Sequence, residues 1–373
     1  MIIAYLSADN PKDYKSWSGL KLNIYNTLKN LKHNIKIIGP LKNFNRLPFV
    51  FCREFCKIIS LKYDSDRKFY LSKAYSIKIS KLLKKIDLIF TSDTYLVSLL
   101  NTNVPIILWL DVTFKTYYNH YFDKKKFHKK SFEEANKLEK LALDRATKII
   151  LTSEWAKKET IKNYKIDPKK IHILPFGSNL KNTSKINLEN INNNIKLLSI
   201  GVDWNRKGME KSIRITRELN KMGLKATLKI VGCKNKKKDP DYVNQIGFLN
   251  KNITSDYAKL KKLLLECDLH ILMTKREACG VVFAEANSFG LFNITNNVGG
   301  IKGMIKNNFN GKLFNIKTKP KEIAIYIKKI FKNKKKFLQL KKQSYKYYHR
   351  KLSWKSNSFN LQKILIDAVN LKK

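Results

Sequence analysis

The 373-residue chain has little arginine, few acidic residues and no long apolar run. It contains nine arginines against 67 lysines, and its 29 acidic residues leave a formal net charge of +47. No run of 18 apolar residues is present, so a membrane-spanning helix is not expected. The five cysteines are odd in number and include no Cys-x-x-Cys pair, which predicts neither a disulfide framework nor a zinc site.

Signature motifs of several enzyme classes are also missing. The chain has no Gly-x-Gly-x-x-Gly, no Gly-Lys-Ser or Gly-Lys-Thr loop, no His-Glu-x-x-His and no Gly-x-Ser-x-Gly. These absences argue against the dinucleotide-binding fingerprint, P-loop NTPases, zinc proteases of this type and α/β-hydrolases.

The positive charge is spread over the whole chain and is almost entirely lysine. Lysine, asparagine and isoleucine are abundant together, as an AT-rich coding bias would favour. A specific reader of nucleic acid more often uses arginine forks and a recognisable module, so we predict no specific nucleic-acid partner. Weak peripheral attraction to an anionic membrane surface is expected. The first residues, 1–7, carry no basic leader and predict a strand, which favours a cytoplasmic location, at most peripheral at the inner membrane face.

Short apolar runs alternate with longer amphipathic stretches along the chain. This alternation predicts an α/β fold, and the length is sufficient for two domains with separate cores. A polar, asparagine-rich segment at 180–194 is typical of a linker. We predict an N-terminal domain at 1–182, a C-terminal domain at 195–345 and a terminal helix at 346–373. The runs predicted as strands are 2–6, 34–40, 86–90, 105–110, 148–152, 195–200, 225–231 and 269–273.

Two stretches of the first domain are less regular. Residues 47–85 predict helix with a break at 63–67, and the aromatic residues Phe69, Tyr70 and Tyr75 are assigned to its buried face. Residues 117–130 are rich in tyrosine, histidine and lysine, and they predict a basic surface loop rather than a metal site.

The chain is organised around one stretch, residues 269–290. An apolar run at 269–273 predicts a buried parallel strand that leads through a glycine-containing turn into a helix beginning at Val281. Gly280 lets the backbone approach a ligand closely, and a helix N-terminus after a strand is an anion site. Glu277 in the loop and Glu285 in the helix can face one polyhydroxylated ligand that carries phosphate. The same two acids would also complement the helix dipole without binding anything.

A second loop, residues 201–208, follows the strand at 195–200 and ends in Lys207 and Gly208. A lysine in such a strand-to-helix loop can reach a diphosphate, and the contact strengthens as the leaving group gains charge. A solvated basic turn is the competing interpretation in so lysine-rich a chain.

The segment from Glu277 to Glu285 resembles the Glu-x7-Glu motif of the retaining nucleotide-sugar glycosyltransferases of family 4. That family has the GT-B fold, in which two Rossmann-like α/β domains face a cleft and a C-terminal helix crosses back to the first domain. The resemblance implies that Glu277 lies near the hydroxyls of the donor sugar and that Glu285 holds the ribose. It supports Lys207 as a diphosphate ligand and Arg206 less directly, because the family often has its arginine where this chain has Val202.

The resemblance also implies further donor contacts in the second domain. The backbone around Cys279, Gly280 and Val281 would hold the diphosphate, and the segment 243–249 resembles the part of the family that packs against the nucleobase. Gly247 and Phe248 are therefore candidate donor residues.

Two positions in the first domain are candidates for the acceptor side. Residues 16–19 resemble the glycine-bearing loop after the family's first strand, which makes Ser18 and Gly19 candidates, although a simple turn with glycine as helix starter fits equally. Asp111 directly follows the strand at 105–110, at the carboxyl end where open α/β sheets bind ligands. Many family members have histidine near this position, so Asp111 either orients or deprotonates the acceptor hydroxyl or caps a turn.

Together these residues predict a retaining, metal-independent hexosyltransferase of glycan biosynthesis. It would need no cofactor and would move a sugar from a nucleoside diphosphate donor to a saccharide, lipid or other hydroxyl acceptor. A nucleotide-sugar epimerase of GT-B fold and a non-enzymatic protein that binds anionic polymers are the two alternatives. The sugar, the base, the acceptor and the oligomeric state are left open.

Overall fold

A computed structural model describes residues 1–41, 46–182, 186, 193–235 and 240–371. Within it the chain divides into two compact units, residues 1–175 with 357–373, and residues 176–356. Much of the expected linker at 180–194, and residues 236–238 of a lysine-rich loop, lie outside the described residues.

The first unit is built on a sheet of parallel strands with helices between them. Its strands are β1 Ile2–Leu6, β2 Asn34–Ile38, β3 Leu88–Thr91, β4 Ile106–Leu110, β5 Lys148–Leu151 and β6 Ile171–Ile173. The helices between these strands are α1 Leu20–Asn30, α2 Leu47–Ile58, α3 Phe69–Ser80, α4 Phe114–Tyr121, α5 Lys129–Arg145 and α6 Glu154–Tyr164.

The second unit repeats this architecture. Its strands are β7 Ile195–Ile200, β8 Ala226–Val231, β9 Val243–Gly247, β10 Leu269–Leu272, β11 Phe292–Asn296 and β12 Gly311–Phe314. Its helices are α7 Trp204–Lys207, α8 Met209–Lys221, α9 Thr254–Glu266, α10 Val281–Ser288, α11 Pro320–Lys332 and α12 Lys334–Tyr347. The last helix, α13 Trp354–Asn370, belongs to the first unit from residue 357 onward.

Each sheet has a point where the strand order reverses. Over the described residues the orders are β2-β1-β3-β4-β5-β6 and β12-β11-β10-β7-β8-β9, and all pairings are parallel. The chain therefore switches sides between β1 and β3 in the first sheet and between β7 and β10 in the second. Loops at the carboxyl ends of strands diverge at such a point and leave a crevice for ligands.

The sequence pattern accounts for most of these elements. The central strands β3, β4, β10 and β11 are buried along their whole length, and β3 and β4 accordingly read as nearly continuous apolar runs. Two predictions were wrong. Residues 117–121, predicted as part of a basic surface loop, belong to helix α4, in which Phe114 and Thr116 are buried. Tyr70, predicted to lie on a buried face, is 62% exposed, whereas Tyr75 is buried as expected.

Buried asparagines hold α10 and the strand β11 in place. The Asn310 Nδ2 atom donates to Asn287 Oδ1 at 2.7 Å and to the Met304 carbonyl at 2.9 Å, and Asn310 Oδ1 accepts from the Lys306 amide at 2.7 Å. Asn287 and Asn310 are both fully buried. Since every polar atom in such a network needs a partner, this cluster fixes the helix that carries Glu285.

We expect Asn310→Leu to destabilise the second unit, because it removes the partners of two buried polar groups, Asn287 Oδ1 and the Met304 carbonyl. At about 1–3 kcal/mol for each orphaned group, the loss is at least about 2 kcal/mol, or about 4 °C in Tm. Thermal unfolding followed by circular dichroism measures it. Asn360→Leu, at an exposed position of α13, is the control and should leave Tm within about 2 °C. Equal Tm values for the two variants would show that the network does not stabilise the unit.

Candidate functional site

The loops after β7 and β10 meet in the second unit at the switch point of its sheet. The Lys275 amide donates to the Arg206 carbonyl at 2.7 Å, and the Thr274 hydroxyl donates to the same carbonyl at 3.2 Å. Two segments about 70 residues apart are thereby joined through their backbones. This junction brings together the two stretches that the sequence singled out.

Two glycines shape this junction. Gly208 has φ +70°, and a Cβ atom there would lie 2.0 Å from the Met273 carbonyl oxygen, so a side chain would push the two segments apart. Gly280 has φ +81°, and its Cβ would lie 2.6 Å from the Phe283 ring and 3.2 Å from Glu277 Cγ. A side chain at Gly280 would therefore disturb the turn between Glu277 and the start of α10.

Lys207 and Glu277 form the central contact of the site. The Lys207 Nζ atom lies 2.5 Å from Glu277 Oε2, and the two side chains are only 11% and 9% exposed. The Glu277 carbonyl also accepts from the Gly300 amide at 3.0 Å, which fixes the loop from the other side. The structure thus brings together the lysine and the first acid that the sequence predicted, in a pair largely withdrawn from water.

Arg206 lies beside this pair. Its guanidinium donates to the Arg276 carbonyl at 3.3 Å, contacts Asp203 and approaches Glu277 Oε2 to 3.9 Å. Val202, at the position where the family often has its arginine, is 65% exposed. Arg206 therefore reaches the site from α7, one helical turn further along the loop.

Glu285 is held by a different lysine. Its Oε1 atom lies 2.6 Å from Lys251 Nζ, and the carboxylate side chain is 4% exposed. Lys251 lies in the loop after β9, which ends at Gly247, with φ +87°, and is followed by the 67% exposed Phe248. The second acid therefore lies one turn into α10 from Val281, in contact with the loop predicted to meet the nucleobase.

The remaining donor candidates line the start of α10. Gly280 is its N-cap residue, Val281 is its first residue, and Cys279 is a buried cysteine that forms no disulfide. The N-terminus of this helix carries partial positive charge and points its first amides toward the loop of Glu277.

His270 is a buried polar residue of this region that the sequence analysis did not assign. It lies in β10, its Nδ1 atom is 2.7 Å from Asn293 Oδ1, and burial, with a smaller effect of Lys207, lowers its pKa to about 4. Its Nε2 atom has no hydrogen-bond partner among the described residues. A histidine inside an otherwise apolar strand was the available signal, and at neutral pH the ring is uncharged.

The first unit carries a polar cavity at its own switch point. The cavity has a volume of about 370 Å³ and is lined by residues that follow β1, β3 and β4. Lys21 Nζ lies 2.6 Å from Asp93 Oδ2 and 3.6 Å from Asp9 Oδ2 on its wall, although the lysine side chain is only 5% exposed. Asp111 lines the same cavity, and its Oδ1 atom accepts from the Val112 amide at 2.7 Å.

The loop at 16–19 reaches this cavity through Trp17. Trp17 and Ser18 have φ of +51° and +56°, and Gly19 has +88°, so three consecutive residues are left-handed. Left-handed values at two residues other than glycine cost energy and often mark a functional loop. Gly19 makes the turn into α1, Ser18 is exposed, and Trp17 is the residue that lines the cavity.

A second buried pair supports the cavity wall. Glu139 is 1% exposed, accepts from the Thr94 hydroxyl and from the Phe114 amide, and lies 3.6 Å from Arg67 Nε. The acids Asp64 and Glu139 raise the pKa of the Arg67 guanidinium further, against the effect of burial. Sequence reasoning missed these residues because the partners lie 72 positions apart.

The described part of the chain contains neither a candidate metal site nor a candidate membrane span. No cluster of at least three histidine, cysteine or acidic side chains there is arranged to hold a metal ion. Nor does any helix in those ranges have the length and apolar character needed to cross a bilayer.

Two family models match adjacent parts of the chain. Glycosyltransferase Family 4 matches residues 22–182, and Glycosyl transferases group 1 matches residues 181–347. No curated protein matches the chain in the corresponding sequence search.

Solved structures show the same fold at low sequence identity. Sucrose-phosphate synthase from Thermosynechococcus elongatus superposes with a TM-score of 0.67 at 14% identity, over 100% of both chains. HepE from Anabaena in complex with UDP gives 0.65 at 15% identity, over 98% of this chain and 100% of that one. TarM gives 0.60 at 15% identity over 79% of this chain, which spans 58% of the TarM chain.

These matches follow the two units described above. The family 4 model covers most of the first α/β unit, and the group 1 model covers most of the second, including both acids and Lys207. The two glycosyltransferase models together cover residues 22–347, and the chain therefore belongs to the glycosyltransferases of GT-B fold.

Proposed function

We propose that the protein transfers a hexosyl group from a nucleoside diphosphate sugar to a hydroxyl acceptor with retention at the anomeric carbon. The observation that carries this proposal is the meeting of Lys207 with Glu277 at the switch point of the second sheet. A cation and a carboxylate held together there match the two ends of a sugar diphosphate, one anionic and one rich in hydroxyl groups.

Lys207 is the group that takes the charge of the leaving diphosphate. Together with Arg206 and the amides at the start of α10, it offers several donors within one loop junction. Such preorganised donors stabilise charge as it develops, and here they would act in place of a metal ion. When the diphosphate binds, Lys207 shifts from Glu277 to the phosphate oxygens.

Glu277 is then available to accept hydrogen bonds from the hydroxyls of the donor sugar. Glu285, inside α10, accepts hydrogen bonds from the ribose once Lys251 is displaced or shared. The two acids therefore have separate roles, one in positioning the transferred sugar and one in holding the nucleotide.

A uridine nucleotide is the donor to test first. The similar HepE structures contain UDP in one case and UDP-glucose in another. Those ligands belong to that protein, and they make UDP-glucose the natural first donor for this chain. The exposed Phe248 lies three residues before Lys251, the partner of Glu285, which makes it a candidate to pack against a base.

The acceptor site is assigned to the polar cavity of the first unit. Asp111 and Trp17 line it together with the Lys21 and Asp93 pair. In the proposed retaining reaction the leaving diphosphate takes the acceptor proton, so Asp111 orients the hydroxyl and need not act as a strong base.

A thermal-shift screen of nucleotide sugars, followed by turnover in EDTA, tests this function. The true donor should raise Tm because it binds only the folded protein. Proton NMR of the product should show the anomeric configuration of the donor. A product of inverted configuration contradicts the proposal, and isomerisation of the donor without any acceptor would identify an epimerase instead.

The two acids should affect different quantities. We expect Glu285→Ala to weaken UDP binding about 10- to 100-fold, because it removes a charge-assisted hydrogen bond to the ribose. Glu277→Ala should slow transfer with a smaller effect on UDP affinity. Isothermal titration with UDP and GDP, beside assays of nucleotide release, measures both quantities.

Glu266→Ala is the matched control for these variants. Glu266 pairs with Lys229 at 2.9 Å in the same unit, but on the partly exposed surface formed by β8 and α9. It should leave binding and turnover unchanged. If Glu277→Ala and Glu285→Ala behave like this control, the assignment of the site is wrong.

Lys207→Met should reduce the rate of sugar transfer about 100- to 1,000-fold, the usual cost of losing one donor to a developing anion. Release of UDP, measured by chromatography at saturating donor, gives the rate. Lys229→Met removes the lysine of the control pair and should retain the wild-type rate. A Lys207→Met enzyme within about threefold of wild type would exclude the role in charge stabilisation.

A further inference from the structure

An apolar cavity of about 430 Å³ lies in the first unit, apart from the polar one. Its walls include Phe122, Phe127 and Phe132, which are all partly exposed although each makes an edge-on or tilted ring contact with Tyr118. Large aromatic side chains normally close such a space when nothing occupies it. The walls are therefore suited to the alkyl chain of a ligand.

The rim of this cavity is positively charged. Lys115, Lys125 and Lys129 line it with two acids, Asp123 and Glu133, and the Asp123 carboxylate already accepts from the Lys125 amide at 3.0 Å. The surrounding sequence adds more lysines, since positions 124–126 and 129–130 are all lysine. An apolar space with this rim fits a ligand that is apolar at one end and anionic at the other.

Helix α4 separates this cavity from the polar one. Phe114 and Tyr117 line the polar cavity, Lys115 and Asn119 line the apolar one, and Tyr118 lines both. The two cavities therefore share the side chain of Tyr118. The polar end of a ligand whose alkyl chain lies in the apolar cavity would be close to the polar cavity, which Asp111 lines.

The neighbouring helix α2 presents an unusual apolar surface. Phe51, Phe55 and Ile58 are 72%, 64% and 80% exposed and follow one another along one face of the helix. The chain after α2 joins the cavity wall directly, because the Lys62 amide donates to the Lys126 carbonyl at 2.7 Å and Lys62 Nζ lies 5.3 Å from the Phe122 ring centre. An exposed apolar helix face, followed along the chain by a segment that contacts the cavity wall, suits a ligand that resides in a lipid phase.

We infer that the aromatic cavity binds the alkyl chain of an anionic amphiphile and that the acceptor of this transferase is lipid-linked. The identification of this ligand as the acceptor rests on the proposed function, whereas the binding of the amphiphile can be measured independently of it. The lysine rim holds the phosphate of the amphiphile, and the hydroxyl that receives the sugar enters the polar cavity past Tyr118.

Titration calorimetry with alkyl phosphates, used below their micelle concentrations, tests the site. Octyl phosphate should bind at least tenfold more tightly than octyl glucoside, which has the same chain and no charge. Affinity should rise about fourfold for each methylene from hexyl to decyl phosphate. Equal affinity for the charged and neutral head groups, or no dependence on chain length, would overturn the inference.

Phe122→Glu places a carboxylate in the cavity wall and should lower octyl phosphate affinity at least tenfold. Phe359→Glu is the matched control, because Phe359 is 65% exposed on α13 and also has a lysine over its ring, Lys363 at 4.5 Å. Phe122→Leu keeps the wall apolar and should stay within about threefold of wild type. Tm of each variant is measured alongside, so that loss of binding is not confused with unfolding.

Vesicles of phosphatidylcholine with phosphatidylglycerol separate the cavity from the α2 surface. If wild type and Phe122→Glu bind octyl phosphate equally, the cavity does not hold the alkyl chain and the inference fails. Equal binding of both proteins to the vesicles would then assign lipid recognition to the α2 surface. Wild-type protein that binds UDP-glucose but no alkyl phosphate refutes the lipid-linked acceptor and leaves the proposed function intact. Protein that binds octyl phosphate but no nucleotide sugar refutes the acceptor role.

Discussion

The arrangement of the second unit depends on one largely buried ion pair, between Lys207 and Glu277. The two side chains can meet only because Gly208 allows the loop after β7 to pass within contact distance of Met273. A buried ion pair contributes little net stability, since desolvation offsets much of the attraction, and breaking it leaves a buried charge uncompensated. A ligand that offers an anion to the lysine and hydroxyl groups to the acid satisfies both partners, so the pair is well suited to a sugar diphosphate.

The first unit uses the same construction at its own switch point. Lys21 and Asp93 follow β1 and β3 and lie 2.6 Å apart, as Lys207 and Glu277 follow β7 and β10. In both sheets the strand order reverses at this point, and a lysine from the helix that follows one strand reaches an acid from the loop that follows the other. The surroundings differ, because the first unit adds acids and the cavity near Asp111. That difference accords with a nucleotide in one unit and an acceptor in the other.

The sequence predicted the repeated α/β units and singled out the two acids and the loop at 201–208, because these depend on local patterns. Apolar runs, glycines before helices and the spacing of two acids are all read within a few residues. Lys251 and Lys21 could not be predicted, since their acid partners lie 34 and 72 positions away in the chain. A signal for Lys21 existed, as it shares a helical face with apolar residues three and seven positions on. The helix containing Tyr117 was mistaken for a loop because its many polar aromatic residues hid the buried face.

The most direct test of this account is a crystal structure of the protein with UDP bound. The distance from Lys207 Nζ to the nearest β-phosphate oxygen should be about 2.7–3.2 Å, with the Glu277 carboxylate released from its lysine. Glu285 should be within the same distance of a ribose hydroxyl. A complex in which UDP binds elsewhere while Lys207 remains paired with Glu277 would contradict the central claim.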